Sequence, residues 1–186
     1  MAQDNWRTPS EIYNYFEKFL DFKFNADVCA SKNNAKCDLF FTEDNSCLDA
    51  NWADYLEPNS FVWCNPPYSN PRPFVEKCIH ESKTNGIGSV MLLNHDMSVD
   101  WSRLLVAINA TLLVFIASGD KKLKTYNNGR IAFWDENCYP INGNNKGQFV
   151  IIINPFVNEL YPPQTRYLKL SDVMAKGGQY EWHTKL

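Results

Sequence analysis

The stretch FVWCNPPYSNPRPFVEKC, Phe61 to Cys78, decides the fold. Phe61-Val62-Trp63-Cys64 is an unbroken apolar run, the pattern of a strand buried on both faces. Asn65-Pro66-Pro67-Tyr68 takes the chain out of that strand. Phe74, Val75, Cys78 and Ile79 then share one face of a helix, which Asn85-Gly86 ends. Proline fixes φ and removes an N–H, and it drives the preceding residue away from helical geometry. Two in succession hold the exit extended and rigid. They aim the Asn65 side chain outward and leave the Pro66 carbonyl without a helical partner.

Outward from this unit, strands and helices alternate. Thr8-Pro9-Ser10-Glu11 reads as a helix start, with Thr8 as cap and Glu11 completing a capping box, ahead of Ile12, Phe16, Phe19 and Leu20. Phe24–Cys29 reads as a short strand ending near Asp27, and Leu39-Phe40-Phe41 as a weaker one. Ser89–Leu93 and Thr111–Ala117 are buried strands by composition, with a helix over Trp101–Ile108 between them. Ile131–Trp134 and Phe149–Ile153 form a final strand pair, joined by a polar Asn/Gly-rich connection. The segment after Tyr161 is expected to be partly helical. The pattern predicts an α/β fold with a mainly parallel central sheet, covered on both faces, and an antiparallel edge or insertion near the C-terminal part. Ligands of such sheets bind beyond the carboxyl ends of the strands. Asp27, Asn65 and Asn94 belong at those ends.

The 186 residues suit a single domain, 1–186, whose tail from about residue 161 is the least defined part. With 45% hydrophobic residues the chain is expected to fold. A net charge of −3 argues against a broad nonspecific nucleic-acid coat but leaves room for a local basic path. The densest is Lys121-Lys122-Leu123-Lys124, with Arg130 after it. No apolar run approaches the roughly 20 residues of a membrane span, and MAQDNWRTPSE contains no signal core, so an intracellular, soluble protein without membrane partners is expected. Six cysteines at irregular spacing and three histidines outside any ligand motif predict buried or half-buried free thiols and no metal.

The Asn65 amide and the Pro66 carbonyl offer two acceptor oxygens beside the flat ring of Tyr68. This suits a planar molecule bearing an NH2 group. Accepting both amino hydrogens makes the nitrogen lone pair more available for attack on an activated methyl group. The alternative reading of the same residues is a proline-stiffened loop with Tyr68 as packing.

At Asn65-Pro66-Pro67-Tyr68 the sequence resembles the S-adenosylmethionine-dependent amino-methyltransferases, whose hallmark is Asp, Asn or Ser, then Pro-Pro, then an aromatic residue. More narrowly, it is similar to the phage-type DNA adenine-N6 methyltransferases of the Dam family. The match is carried by Trp6-Arg7-Thr8-Pro9, Asp27-Val28-Cys29-Ala30, Leu48 with Trp52, Asn65 to Ser69, and Gly129-Arg130-Ile131-Ala132-Phe133. The resemblance implies a Rossmann-like methyltransferase fold, S-adenosylmethionine as methyl donor and adenine in DNA as substrate, in the cytoplasm of a bacterial or phage-infected cell. It implies catalytic roles for Asn65, Pro66, Pro67 and Tyr68. It also implies donor contacts at Thr8 and Pro9, at Asp27, Cys29 and Ala30, at Asp44, and at Asn65 between donor and base. One departure is that Asp27-Val28-Cys29-Ala30-Ser31 lacks the glycine that many methyltransferases carry after the first strand.

On this reading adenine is flipped out of the duplex, stacks on Tyr68 and accepts the methyl group directly, without a covalent enzyme intermediate. Lys121, Lys122, Lys124 and Arg130 are candidate phosphate contacts or, alternatively, a solvated face. The stretch Asn137–Lys146 is either a loop that reaches a groove or a plain connection. Two rival functions stand beside this one. One is methylation of RNA or of a glutamine in protein, and the other is a binding module without turnover.

Overall fold

The computed structural model describes residues 4, 6–120, 126–156 and 164–179. The chain forms two compact units. The first comprises 1–5, 24–114 and 148–166, and the second comprises 6–23, 115–147 and 167–186. Lys121, Lys122 and Lys124 lie outside the described residues.

The first unit carries the sheet. Its strands are β1 (Ala26–Asp27), β2 (Phe61–Cys64), β3 (Gly88–Asn94), β4 (Thr111–Ile116), β5 (Gln148–Ile153) and β6 (Thr165–Lys169), in the order β1-β2-β3-β5-β4-β6. The last residues of β4 and β6 pass into the second unit. β2 pairs in parallel with β1 on one side and β3 on the other, while β5 runs antiparallel to both β3 and β4. The mixed α/β sheet with an antiparallel insertion is the expected one. The reversed strand sits inside the sheet and not at its edge, because all six residues of β5 are buried and an edge would expose one side of them.

Val62, Cys64, Met91, Leu93, Phe149 and Ile151 point into one core. Helix α2 (Arg72–Asn85) brings Val75 and Cys78 to it, and α3 (Ser102–Ala107) brings Leu105. Gly86 closes α2 in the left-handed conformation at φ 67°, as Asn85-Gly86 predicts. Glu81 is wholly buried on α2. Its carboxylate pairs with Lys77 Nζ at 2.8 Å and accepts from Asn85 Nδ2 at 2.6 Å. Lys77 also donates to the Ala50 carbonyl at 2.6 Å, so the pair fastens the helix to the segment before Trp52.

Two expected strands are shorter than read. Phe24–Cys29 yields only the two residues of β1, and Leu39-Phe40-Phe41 contributes a single parallel bridge, Phe40 to Asp27. Among the described residues no helix is long and apolar enough to cross a membrane.

The second unit contains α1 (Ser10–Leu20) and α4 (Leu170–Gly178), packed on each other. The segment after residue 161 is therefore part strand and part helix in its described portion. Helix α1 buries Ile12, Tyr13, Phe16 and Glu17. The capping box does not form. Pro9 occupies the N-cap position, which displaces Thr8 outward, and no side chain caps the helix. The expected pairing of 131–134 with 149–153 is also absent. Trp134 bridges Arg7 and Pro140 instead, giving a small antiparallel ladder of 7, 133–135 and 139–141. The stretch from Asp135 onward is thus the turn and return strand of a hairpin.

Gly177 makes the closest approach of α4 to α1, since a Cβ there would overlap the Glu11 carbonyl. At Gly178 a Cβ would meet only Glu11 Cγ, at 3.6 Å. Gly177→Ala is therefore expected to destabilise the protein by about 1–3 kcal/mol, as overpacking does. Gly178→Ala should be neutral or slightly stabilising. Thermal melts of the two variants check the contrast, and equal effects would contradict the packing described.

Candidate active site

β1, β2 and β3 are adjacent and parallel, so their carboxyl ends open on one edge of the first unit. Asp27 lies opposite Trp63, and Cys64 opposite Met91. Asp27, Asn65 and Asn94 therefore lie at neighbouring strand ends, as the pattern predicts. Asn94 is held by Gln148, a fully buried residue whose Nε2 donates to Asn94 Oδ1 at 3.1 Å.

At the end of β2, Asn65 is half-buried, Pro66 buried, and Pro67 and Tyr68 half-buried. The turn closes with the Asn70 amide on the Pro67 carbonyl at 3.3 Å. It is also held from the chain's start, where Asp4 Oδ1 accepts the Ser69 amide at 3.0 Å. The Asn65 side-chain oxygen is enclosed, and not turned outward as the two prolines lead one to expect, and the Tyr68 hydroxyl is enclosed as well. The Tyr68 ring packs against the core, and burial pushes its hydroxyl well above the usual phenol range. Tyr68 is thus a fixed, neutral platform at the strand exit.

The Asp27 side chain is buried and accepts two backbone amides, Cys29 N–H at 3.3 Å and Lys36 N–H at 3.1 Å. It clamps the loop 28–36 shut. Burial raises its carboxyl to about 6, against the opposing pull of the two amides and the Lys36 charge. The neighbouring amides are engaged as well. Val28 N–H donates to Trp63 O at 2.9 Å, Ala30 N–H to Phe41 O at 2.9 Å, and Ser31 N–H to Asn34 Oδ1 at 2.6 Å. A loop whose amides are committed in this way offers carbonyls and side chains to a ligand, not an anion-binding nest of N–H groups. The missing glycine fits this, because no residue here has to bring a bare backbone against an anion.

Cys29 Sγ lies 3.6 Å from Cys64 Sγ. Burial drives both thiols well above the usual thiol range, so they are neutral packing groups and not nucleophiles. Asp44 is exposed, in a turn where the Asn45 amide meets Thr42 Oγ1 at 3.3 Å. Among the described residues no cluster of His, Cys, Asp or Glu could hold a metal.

Thr8, Pro9 and Arg130 belong to the second unit. Thr8 is buried, and its Oγ1 finds no hydrogen-bond partner among the described residues; neither does the enclosed Glu11 Oε2. Two orphaned polar oxygens at one helix start are a strong sign of a polar ligand, since each is costly to leave unmade. Arg130 is exposed, and its amide donates to Asn128 Oδ1 at 3.0 Å. Sequence reasoning missed Asp4, Lys36 and Gln148. The first two act through a carboxylate–amide bond, which leaves no periodic trace. Gln148 carried one signal, a polar residue directly before the apolar run FVIII.

A family model described as DNA N-6-adenine-methyltransferase (Dam) matches residues 1–180. A relative named DNA N-6-adenine-methyltransferase, from Haemophilus phage HP1 (strain HP1c1), is 35% identical over 176 residues, covering 94% of this chain and 92% of that protein. Another of the same name, from Escherichia phage T1, is 32% identical over 180 residues, covering 92% of this chain and 71% of that protein. No solved structure gives a significant match.

The Asp27 clamp carries a pH signature. A carboxyl raised above its unfolded value favours the fold most when protonated. That contribution is complete below the ordinary carboxyl value of 3.8 and is lost as pH rises through about 6. The stability of the protein relative to Asp27→Asn is therefore expected to grow by about 1 kcal/mol from about pH 7 to about pH 5. Denaturant titrations at the two values measure the difference, and a flat one would contradict a raised carboxyl.

Proposed function

The chain belongs to the DNA N-6-adenine-methyltransferase (Dam) family, and from that membership we propose that it transfers a methyl group from S-adenosylmethionine to the N6 amino group of adenine in DNA. The observation that carries the reading within the chain is the Asn65-Pro66-Pro67-Tyr68 exit at the carboxyl end of the buried β2. Both units are read as one Rossmann-like methyltransferase domain, in line with the family match over residues 1–180. Its place of action is the cytoplasm of a bacterial or phage-infected cell.

S-adenosylmethionine, when bound, supplies an electrophilic methyl group on a sulfonium. The residues present fit it. The orphaned Thr8 hydroxyl can donate to the carboxylate of its amino-acid end and Glu11 can accept from the ammonium. Pro9 fixes the backbone that presents them. Cys29 and Ala30 belong to the loop with committed amides, so what they can offer a ligand is a carbonyl and not an N–H. Asp27 acts through that loop and is a positioning residue. Asp44 is the acceptor suited to a ribose hydroxyl.

The target adenine leaves the duplex at a cost of a few kcal/mol. Stacking on Tyr68 offsets about 1–3 kcal/mol of this. Asn65 Oδ1 and the Pro66 carbonyl accept the two amino hydrogens and turn the nitrogen lone pair toward the methyl group, while Pro67 keeps the exit from relaxing. A carboxamide has no useful basicity near neutrality, so Asn65 orients the nitrogen and takes no proton. The product ammonium gives its proton to solvent. Arg130 is read as a phosphate contact, and Lys121, Lys122 and Lys124 are assigned the same role on sequence alone.

Asn65→Ala is expected to lower turnover at least about 100-fold through lost positioning, with donor binding retained. Tyr68→Ala is expected to reduce kcat/KM for DNA about 10- to 100-fold, chiefly through capture of the flipped base. Transfer of labelled methyl to DNA, RNA and protein substrates in parallel tests the assignment. A fully active Asn65→Ala enzyme, or transfer that favours RNA or protein, would overturn it.

A further inference from the structure

The second unit contains an ordered hairpin that the transfer chemistry does not use. Its root is fixed at Gly129, which has φ 71° and where a Cβ would lie 2.6 Å from the Ile116 carbonyl carbon. Ile131 and Phe133 then turn inward and are buried, with the Trp6 ring 5.5 Å from Phe133. Trp134 exchanges both backbone bonds with Arg7 at 2.9 Å. The strands of the hairpin are joined by Asp135 N–H to Tyr139 O at 2.9 Å and Ile141 N–H to Phe133 O at 2.6 Å. Asp135 Oδ1 fastens the tip by accepting the amides of Asn137 at 2.8 Å and Tyr139 at 2.9 Å. Asn144 Nδ2 ties the following segment back to the Ile131 carbonyl at 2.9 Å, two residues before Lys146.

This well-bonded turn presents Tyr139, 69% exposed and the most exposed large hydrophobic side chain among the described residues. The distribution of polar groups is uneven. The exposed cations Arg130 and Lys146 lie before and after the tip in the chain, while Glu136 and Asn137 are exposed at the tip. A carboxylate at the tip would be repelled by phosphates, but it can accept from the amino group of a base. Asn can pair with adenine, and Tyr can stack. The part free to enter a major groove is the tip, because Ile131 and Phe133 are buried and Trp134 is flanked by Arg7, whereas the residues from Glu136 to Pro140 are exposed. Exposed side chains at such a tip can meet base edges, while Arg130 and Lys146, outside it, suit phosphates.

We propose that this hairpin is the sequence-reading element for DNA: Glu136, Asn137 and Tyr139 meet bases, and Arg130 and Lys146 hold the backbone. The assignment rests on DNA being the substrate, and it adds which residues choose the site.

The test uses the full-length enzyme on DNA of mixed sequence, with methylated adenines mapped by single-molecule sequencing and rates measured over a salt series. Tyr139→Ala is expected to lower kcat/KM about tenfold or more, with Tyr139→Phe close to the parent, because the ring face is what stacks. Its melting temperature should not move, since the side chain is exposed. Glu136→Gln is expected to relax the preference among flanking sequences about tenfold without changing the salt dependence. The double change Arg130→Ala, Lys146→Ala should leave the preference intact and reduce the salt slope by about 2. Parent-like rates and contexts in both Tyr139→Ala and Glu136→Gln would overturn the role of the hairpin alone. Failure of the unmodified enzyme to methylate DNA would overturn the proposed function, and the hairpin's role with it.

Discussion

The pairing of β2 with a parallel partner on each side is the constraint from which the site follows. With β1 and β3 both bonded to it, β2 can neither slide nor twist free, and its apolar residues are enclosed on both faces. The chain must therefore leave the sheet at one defined point, and Pro66 and Pro67 fix the direction in which it leaves. Position and direction of Asn65 are thus inherited from the sheet, as direct transfer to a weak nucleophile requires.

Around that exit the protein tolerates local disfavour. Asp27 is kept in a setting that raises its carboxyl to about 6, so at neutral pH the charged form costs the fold on the order of 3 kcal/mol relative to an unshifted acid. What it maintains is the closed loop 28–36, at the same end of the sheet as Asn65. The unmatched oxygens of Thr8 and Glu11 are a second such cost, in the other unit. Such costs are common where a ligand is to be received. The thiols of Cys29 and Cys64 show the contrary case, in which burial makes a reactive group quiet.

Much of this was legible in the residues. β2, β3, β4 and β5 are apolar runs long enough to be strands and too short to be buried helices, and Gly86 marks the end of α2 by its freedom at positive φ. The strand-end location of Asp27, Asn65 and Asn94 followed from the alternation alone. What stayed hidden depended on contacts distant in sequence. Pro9 takes the cap position and leaves Thr8 unmatched, an outcome that the capping pattern itself does not announce. Ile131–Trp134 has strand composition, but its partner is Arg7, and no local pattern names a partner. The clamp on Asp27 uses the amide of Lys36, and an amide bond is independent of side-chain type. β5 was recognised as a strand, yet its place between β3 and β4 is set by its burial and not by its order in the chain.

The contact of Gly177 with the Glu11 carbonyl joins the last described helix to the first. During synthesis α1 emerges early, but α4 is not made until some 150 residues later, on the order of 10 s or more at ribosomal speed. For that interval Ile12, Phe16 and their neighbours must wait without the surface they pack on. A helix made long before its partner is thus late to settle, and in the interval the nascent chain carries a sticky amphipathic segment that chaperones can hold.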